Sequence, residues 1–245
     1  MIAGCARRIN RHFRANNYAE TLRMHMKPRN EKVVLVHGFC RTSRNMSYLN
    51  TYLRRAGYTT FAPTLPTLCG SLEECTMEFT RAFQLLRKDY DRIHFVAHSM
   101  GGLIVRLFLS LHEVDKLGRC VLIATPNNGT DLAVQAKKLC SRSLQIFKPL
   151  QSFLPGKLTI HPPLNRPLPE IGVIAGDKNN LLFSKFIQGD NDGRVPVSSV
   201  PYEGIQESAL VPFNHLKIHH NEQVAGMVVQ FIKSGKFFAD HKPVS

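Results

Sequence analysis

The stretch Ile93-His94-Phe95-Val96-Ala97-His98-Ser99-Met100-Gly101-Gly102 decides the architecture. Its first half is the short apolar run shown by a strand buried on both faces. The run breaks at Ser99, which has small residues around it, and resumes as the amphipathic sequence Leu103-Ile104-Val105-Arg106-Leu107-Phe108. A serine at a sharp strand-to-helix turn takes strained torsions that hold its hydroxyl clear of the backbone, and small neighbours let strand and helix close on each other. The helix beyond it aims unpaired N–H groups at whatever the serine attacks. A small-x-Ser-x-Gly pentapeptide arises readily by chance; the strand before it and the helix after it give this one weight.

Upstream, Val33-Val34-Leu35-Val36 reads as a buried strand ending in His37-Gly38-Phe39. Helical spacing through Tyr48, Leu49 and Leu53 closes at Gly57, and Tyr58 to Ala62 reads as a second strand stopped by Pro63. A Pro/Gly-bearing loop, Thr64 to Gly70, precedes a helix marked by Leu72, Phe79, Phe83, Leu85 and Leu86. Downstream, Cys120 to Ala124 is a strand ending at Thr125-Pro126, and Ile171 to Gly176 is another. A last helix runs from about Asn221 to Ile232. Alternating strands and helices predict an α/β fold: a mostly parallel central sheet with helices on both faces. Sites in such sheets lie at the carboxyl ends of the strands, where His37-Gly38, Ser99 and Thr125-Pro126 all fall.

Around this core the chain divides by composition. Residues 1–30 form a basic N-terminal extension, with seven cations from Arg7 to Arg29 and Glu20 as its one acid. Residues 31–235 form one domain, and 236–245 read as a loose C-terminal tail. Within the domain, 127–169 breaks the rhythm. Leu132, Ala136, Leu139 and Cys140 share one helical face, a proline-rich stretch follows from Pro149 to Pro169, and no acid occurs from Leu132 to Pro169. The segment reads either as a lid-like insertion, its apolar face toward acyl chains and its basic face toward anionic head groups, or as a packed surface excursion.

The chain has 245 residues and a formal net charge of +14, a balance that favours anionic partners. It carries no recognised nucleic-acid module and no Trp, so nucleic acid is not expected; an anionic membrane surface is the partner weighed against a simply solvated basic surface. No apolar run approaches the ~20 residues that span a bilayer. The six cysteines show no CxxC spacing and suit a reducing, cytoplasmic setting; Cys69 and Cys75 could pair in an exported protein. Met1-Ile2-Ala3-Gly4-Cys5 is similar to the end of a lipoprotein signal without its apolar region, which leaves export or membrane attachment as the alternative. Neither a dinucleotide glycine fingerprint nor metal-ligand spacing is present, so no cofactor or metal is expected.

Ala97-His98-Ser99-Met100-Gly101 resembles the nucleophile elbow of the α/β-hydrolase family, with Ala97 where the first glycine is usual. The resemblance extends over roughly Val33 to Ile232 and is nearest to compact bacterial lipases and esterases. It implies the order Ser…Asp…His, with Ser99 as nucleophile, Asp192 as acid and His215 as base. The string Asn191-Asp192-Gly193-Arg194-Val195-Pro196-Val197 is similar to the family's acid loop, in which the aspartate directly before glycine has the role; Asp190 would then cap the turn, and Asp177 is a remoter candidate. His219 and His220 are expected at the surface, and His98 is expected to fill the elbow with its ring pointing elsewhere. His37 and Gly38 would brace the oxyanion loop, with backbone N–H groups of Phe39 and Met100 as the donors. Thr125-Pro126-Asn127-Asn128-Gly129-Thr130 resembles a Thr-Pro-x-x-Gly-Ser segment, with Thr130 where serine is usual. These features imply a serine hydrolase of small-molecule or lipid carboxylic esters that works through an acyl-enzyme. Thioesterase, amidase or acyltransferase chemistry on the same machinery is the runner-up, and a non-catalytic lipid- or partner-binding protein is the reading from another class.

Overall fold

The computed structural model describes residues 29–86, 89–139, 148–156, 160, 169–182 and 184–238. Six strands, β1 (Glu31–Val36), β2 (Thr59–Phe61), β3 (Arg92–His98), β4 (Leu117–Ile123), β5 (Ile171–Gly176) and β6 (Glu207–Val211), form one sheet. Their order is β2-β1-β3-β4-β5-β6, and every pairing is parallel. The helices between them are α1 (Ser47–Arg55), α2 (Leu72–Gln84), α3 (Met100–Leu111), α4 (Asp131–Leu139), α5 (Pro149–Ser152) and α6 (Glu222–Ser234).

Side chains of a strand alternate between faces, so a strand buried on both sides must be apolar throughout. In β1, Val33 and Leu35 pack with Leu49 and Leu53 of α1 and Val228 and Phe231 of α6, while Val34 and Val36 pack with Phe79 of α2 and Phe108 of α3 on the other side. Helix α2 starts at a capping box, in which Glu74 N–H donates to Ser71 Oγ (3.2 Å) and Ser71 N–H donates to Glu74 Oε2 (2.7 Å). Its Phe79 meets Phe108 edge-on with ring centroids 5.0 Å apart, and Phe83 stacks on Phe95 of β3 at 5.8 Å.

After β1 the chain steps outward to β2 and then returns to the opposite flank of β1 as β3. That reversal makes the ends of β1 and β3 the switch point of the sheet, the place where open α/β sheets bind ligands. The start of α3 is pressed into this corner. A Cβ on Gly101 would lie 2.3 Å from Val36 O, and one on Gly102 2.1 Å from Thr125 Oγ1. Larger residues at either place would push α3 off the ends of β1 and β4.

Two expectations need correction, the extent of α2 and the loose C-terminal tail. Leu85 lies just past α2 and is 87% exposed, because the helix ends one residue earlier. Phe237 does not belong to a loose tail: it is fully buried, its ring 4.8 Å from Phe231 and close enough to Gly172 that a Cβ there would meet it at 2.6 Å. The left-handed Gly235 stops α6 and turns the chain back so that Phe237 fills that hollow. On α4, Ala133 is buried and Leu132 half-buried; residues 140–147, Cys140 among them, and most of 157–168 lie outside the described residues, so the insertion read in the sequence is described only in part. Cys75 sits on α2, buried and free, while Cys69 is exposed and free. No described helix is long and apolar enough to cross a membrane.

Candidate active site

Ser99 stands between β3 and α3 with φ 55 and ψ −128, a region that disfavours any residue bearing a Cβ. Hydrogen bonds hold it there: its N–H donates to Ile123 O (2.9 Å) and its carbonyl accepts from Gly102 N–H (2.9 Å). The strain turns the hydroxyl out of the strand line. A Cβ on Gly38 would lie 2.9 Å from Ser99 Cβ, so glycine at the end of β1 keeps the approach to the serine open.

Ser99 Oγ lies 3.0 Å from Nε2 of His215, and Nδ1 of the same ring lies 2.7 Å from Asp192 Oδ2. All three residues are buried. A carboxylate only accepts, so Nδ1 carries the proton and Nε2 presents its lone pair to the serine hydroxyl. The second carboxylate oxygen, Asp192 Oδ1, accepts from the backbone N–H groups of Arg194 (2.9 Å) and Val195 (2.8 Å). Main chain joins the same two loops, since His215 N–H donates to Asp192 O at 2.9 Å. Gly176, at the end of β5, lets them approach: a Cβ there would lie 2.2 Å from Phe213 O. The turn of the acid loop is capped by Asn191, whose Oδ1 accepts from Gly193 N–H (2.9 Å), rather than by Asp190, which is exposed. Asp177 is also exposed. Asn214 accepts from the N–H groups of Leu216 and Lys217 and donates to Asn180 Oδ1 (2.8 Å), fixing the loop that bears His215.

The neighbouring histidines differ from expectation. His219 is buried, not a surface residue, and its ring stacks on that of His98 at 3.8 Å. His98 in turn donates from Nε2 to the main-chain carbonyl of His215 (3.1 Å), so the elbow histidine holds the loop of the neighbouring imidazole rather than merely filling space. His220 continues the column at 4.1 Å and is exposed. His98 and His219 stack, while His220 and His215 are tilted against them, and among the described residues no group of three or more His, Cys, Asp or Glu side chains is placed to hold a metal ion.

Burial holds His98 well below the ordinary histidine value of 6.5, aided by His219 and His215. Burial, with His220, His215 and Arg41 behind it, lowers His219 to about 2. On β3, burial and the nearby Arg119, Arg92 and Arg29 lower His94 to about 4. Each is neutral in the fold and becomes charged in the unfolded chain as pH drops below 6.5. The unfolded state then binds more protons, so the stability that these groups contribute is present above 6.5 and is lost as pH falls toward their folded values. Each histidine contributes a slope of up to about 1.4 kcal/mol per pH unit in that window. The melting temperature should therefore drop steeply from about pH 7 to about pH 5; a flat profile would show that these rings take up protons without unfolding.

On the other side of Ser99, His37 Nε2 accepts from Leu65 N–H (2.9 Å), which places its proton on Nδ1, 3.0 Å from Gly38 O. Burial keeps this ring neutral by lowering its pKa. Met100 opens α3, and its N–H has no acceptor within the helix. The segment after β4 is tied down from three directions. Arg106 donates to Asn127 Oδ1 (2.8 Å) with its guanidinium over Tyr202 at 3.8 Å, Asn127 donates to Val200 O (2.6 Å), and Thr130 donates to Arg194 O (2.6 Å). These bonds couple the segment to the acid loop. Sequence reading did not single out Asn214 or the bracing role of Arg106 and Asn127; their partners are far away along the chain, and no spacing reports them.

A family model described as the alpha/beta hydrolase fold matches residues 32–147. Among solved structures, a Bacillus licheniformis lipase, BlEst2 in mature form, is 18% identical, with a TM-score of 0.64 over 86% of this chain and 92% of that one. The metagenomic carboxyl esterase MGS0156 is 16% identical, with a TM-score of 0.65 over 84% and 76%. A candidate thioesterase from Silicibacter sp. is 17% identical, with a TM-score of 0.57 over 85% and 78%. No curated protein sequence matches. With the all-parallel sheet, these findings show that the chain has the α/β-hydrolase fold. Bacterial lipases and esterases are among its structural neighbours.

Proposed function

We propose that this protein is a serine hydrolase that cleaves carboxylic esters through an acyl-enzyme on Ser99. The observation that carries the reading is the unbroken hydrogen-bonded line from Ser99 Oγ through His215 to Asp192, with the serine held in strained torsions between β3 and α3. A serine hydroxyl is a weak nucleophile until a base removes its proton. Here His215 Nε2 takes that proton as Oγ adds to the ester carbonyl carbon. The carbonyl π electrons move to oxygen, and the resulting oxyanion is met by the N–H groups of Phe39 and Met100. Asp192 holds the imidazole in the tautomer that can accept and stabilises the imidazolium that forms. The tetrahedral adduct then collapses, the ester C–O bond breaks, and His215 gives its proton to the departing alkoxide. Water repeats the sequence on the acyl-serine, releasing the acid and restoring Ser99.

An acyl thioester would pass through the same acyl-enzyme, and the fold shared with a candidate thioesterase favours that as the second reading. Steady-state assays with matched p-nitrophenyl and thiophenyl esters of increasing acyl length test both. Ester turnover with a clear optimum in acyl length is expected. Turnover of the thioester alone would transfer the assignment to the second reading, and no turnover of either substrate by folded protein would remove both.

A further inference from the structure

A backbone N–H can stabilise an oxyanion only if its peptide plane is held, and the plane between Gly38 and Phe39 is not held by its own sequence. Gly38 has no Cβ to restrict rotation, and Cys40, one residue beyond Phe39, sits at φ 53, a left-handed conformation that a non-glycine residue does not choose unaided. Something outside the loop must set it. Thr67, a fully buried residue of the β2–α2 loop, grips this segment from both sides. Its Oγ1 lies 3.0 Å from Gly38 O and 3.5 Å from Arg41 O, and its own carbonyl accepts from Cys40 N–H at 3.4 Å. The hydroxyl has one proton to donate, and Gly38 O is the nearer acceptor. With His37 Nδ1, it gives that carbonyl two donors on the side of residues 65–67. The peptide is trans, so its C=O and N–H point in opposite directions. Anchoring Gly38 O toward the β2–α2 loop turns the Phe39 N–H away from it.

We infer that Thr67 is a positioning residue for oxyanion stabilisation: by anchoring the Gly38 carbonyl, its hydroxyl aims the Phe39 N–H at the space above Ser99. The inference rests on the hydrolase reading given above. If the anchor is lost, the peptide rotates about Gly38, the N–H leaves the oxyanion and a carbonyl dipole swings toward it. That rotation affects the tetrahedral state, where the charge resides, far more than the bound ester.

Thr67→Val keeps the shape and removes the hydroxyl, Thr67→Ala removes it without added bulk, and Thr67→Ser retains it. With a p-nitrophenyl ester, Val and Ala should each lower kcat about 10- to 100-fold, somewhat less than outright removal of a donor. KM should stay within about threefold, because substrate and oxyanion are bound unequally. Ser should restore kcat to within about threefold of wild type. Affinity for a trifluoromethyl ketone, which forms an oxyanionic hemiketal on Ser99, should fall by the same factor as kcat; a merely structural role would not link the two. Wild-type kcat in either hydroxyl-free variant, an equal loss in the serine variant, or a fall in kcat without weaker ketone binding would overturn the inference and leave the hydrolase reading intact. Failure of wild type to turn over the ester and bind the ketone would instead overturn both.

Discussion

Ser99→Ala and His215→Ala are each expected to lower kcat about 10⁴- to 10⁶-fold, and the double variant should lose no more than the worse of the two. In the proposed mechanism the serine and imidazole work as a unit, because Oγ adds to a carbonyl only while Nε2, 3.0 Å away, takes its proton. Without the base, the hydroxyl stays protonated; without the hydroxyl, the base has nothing to activate but water. Residual turnover then comes from the oxyanion donors and substrate binding, which neither change removes. Losses that multiply in the double variant would mean that the two side chains act in separate steps. Retention of activity within tenfold in either single variant would place the chemistry elsewhere. Neither change should unfold the protein, since β3, α3 and the sheet beneath them pack through other residues.

Asp192→Asn should cost about 10⁴-fold in kcat near neutral pH, and its geometry gives the reason. Oδ1 of Asp192 is claimed by the N–H groups of Arg194 and Val195, which require an acceptor. Asparagine must keep its carbonyl oxygen there, so its NH₂ faces His215 Nδ1. The ring answers by accepting at Nδ1, which moves its proton to Nε2, and Nε2 can no longer take the serine proton. Asp190→Asn provides the control and should leave kcat within about twofold, because that carboxylate is exposed. Equal losses at both positions would remove Asp192 from its special place. Wild-type activity in Asp192→Asn would show that His215 keeps its tautomer by other means.

The parts of this molecule legible in the sequence are those with a local signature. The β3–α3 elbow announces itself because strand, small residues and helix must follow one another directly. The strands β1, β4 and β5 read as apolar runs for the same reason. The acid loop and the late histidine were placed by family resemblance, and the structure brings Asp192, His215 and Ser99 into one hydrogen-bonded line.

What the sequence did not reveal depends on contacts between distant segments. His219 looks like a polar residue in a charged stretch, yet a short 3₁₀ turn, Ile218–His220, swings it under His98. No periodicity marks such a turn. Phe237 follows a helix-stopping glycine, and only the hollow beside Gly172 and Phe231 shows why the chain folds back. Thr67 is one of two threonines in a Pro/Gly loop, and its hydrogen bond reaches Gly38, 29 positions earlier. In each case the fold creates the role and the neighbouring residues carry no trace of it.

The central claim is that Ser99 is a nucleophile activated by its surroundings, and covalent labelling tests it most directly. Folded protein incubated with a fluorophosphonate and analysed by peptide mass spectrometry should gain one phosphonyl group, on the peptide containing Ser99. Prior unfolding should prevent the reaction, as should His215→Ala. Folded wild-type protein that stays unlabelled, or that carries the adduct on a different residue, would contradict the account.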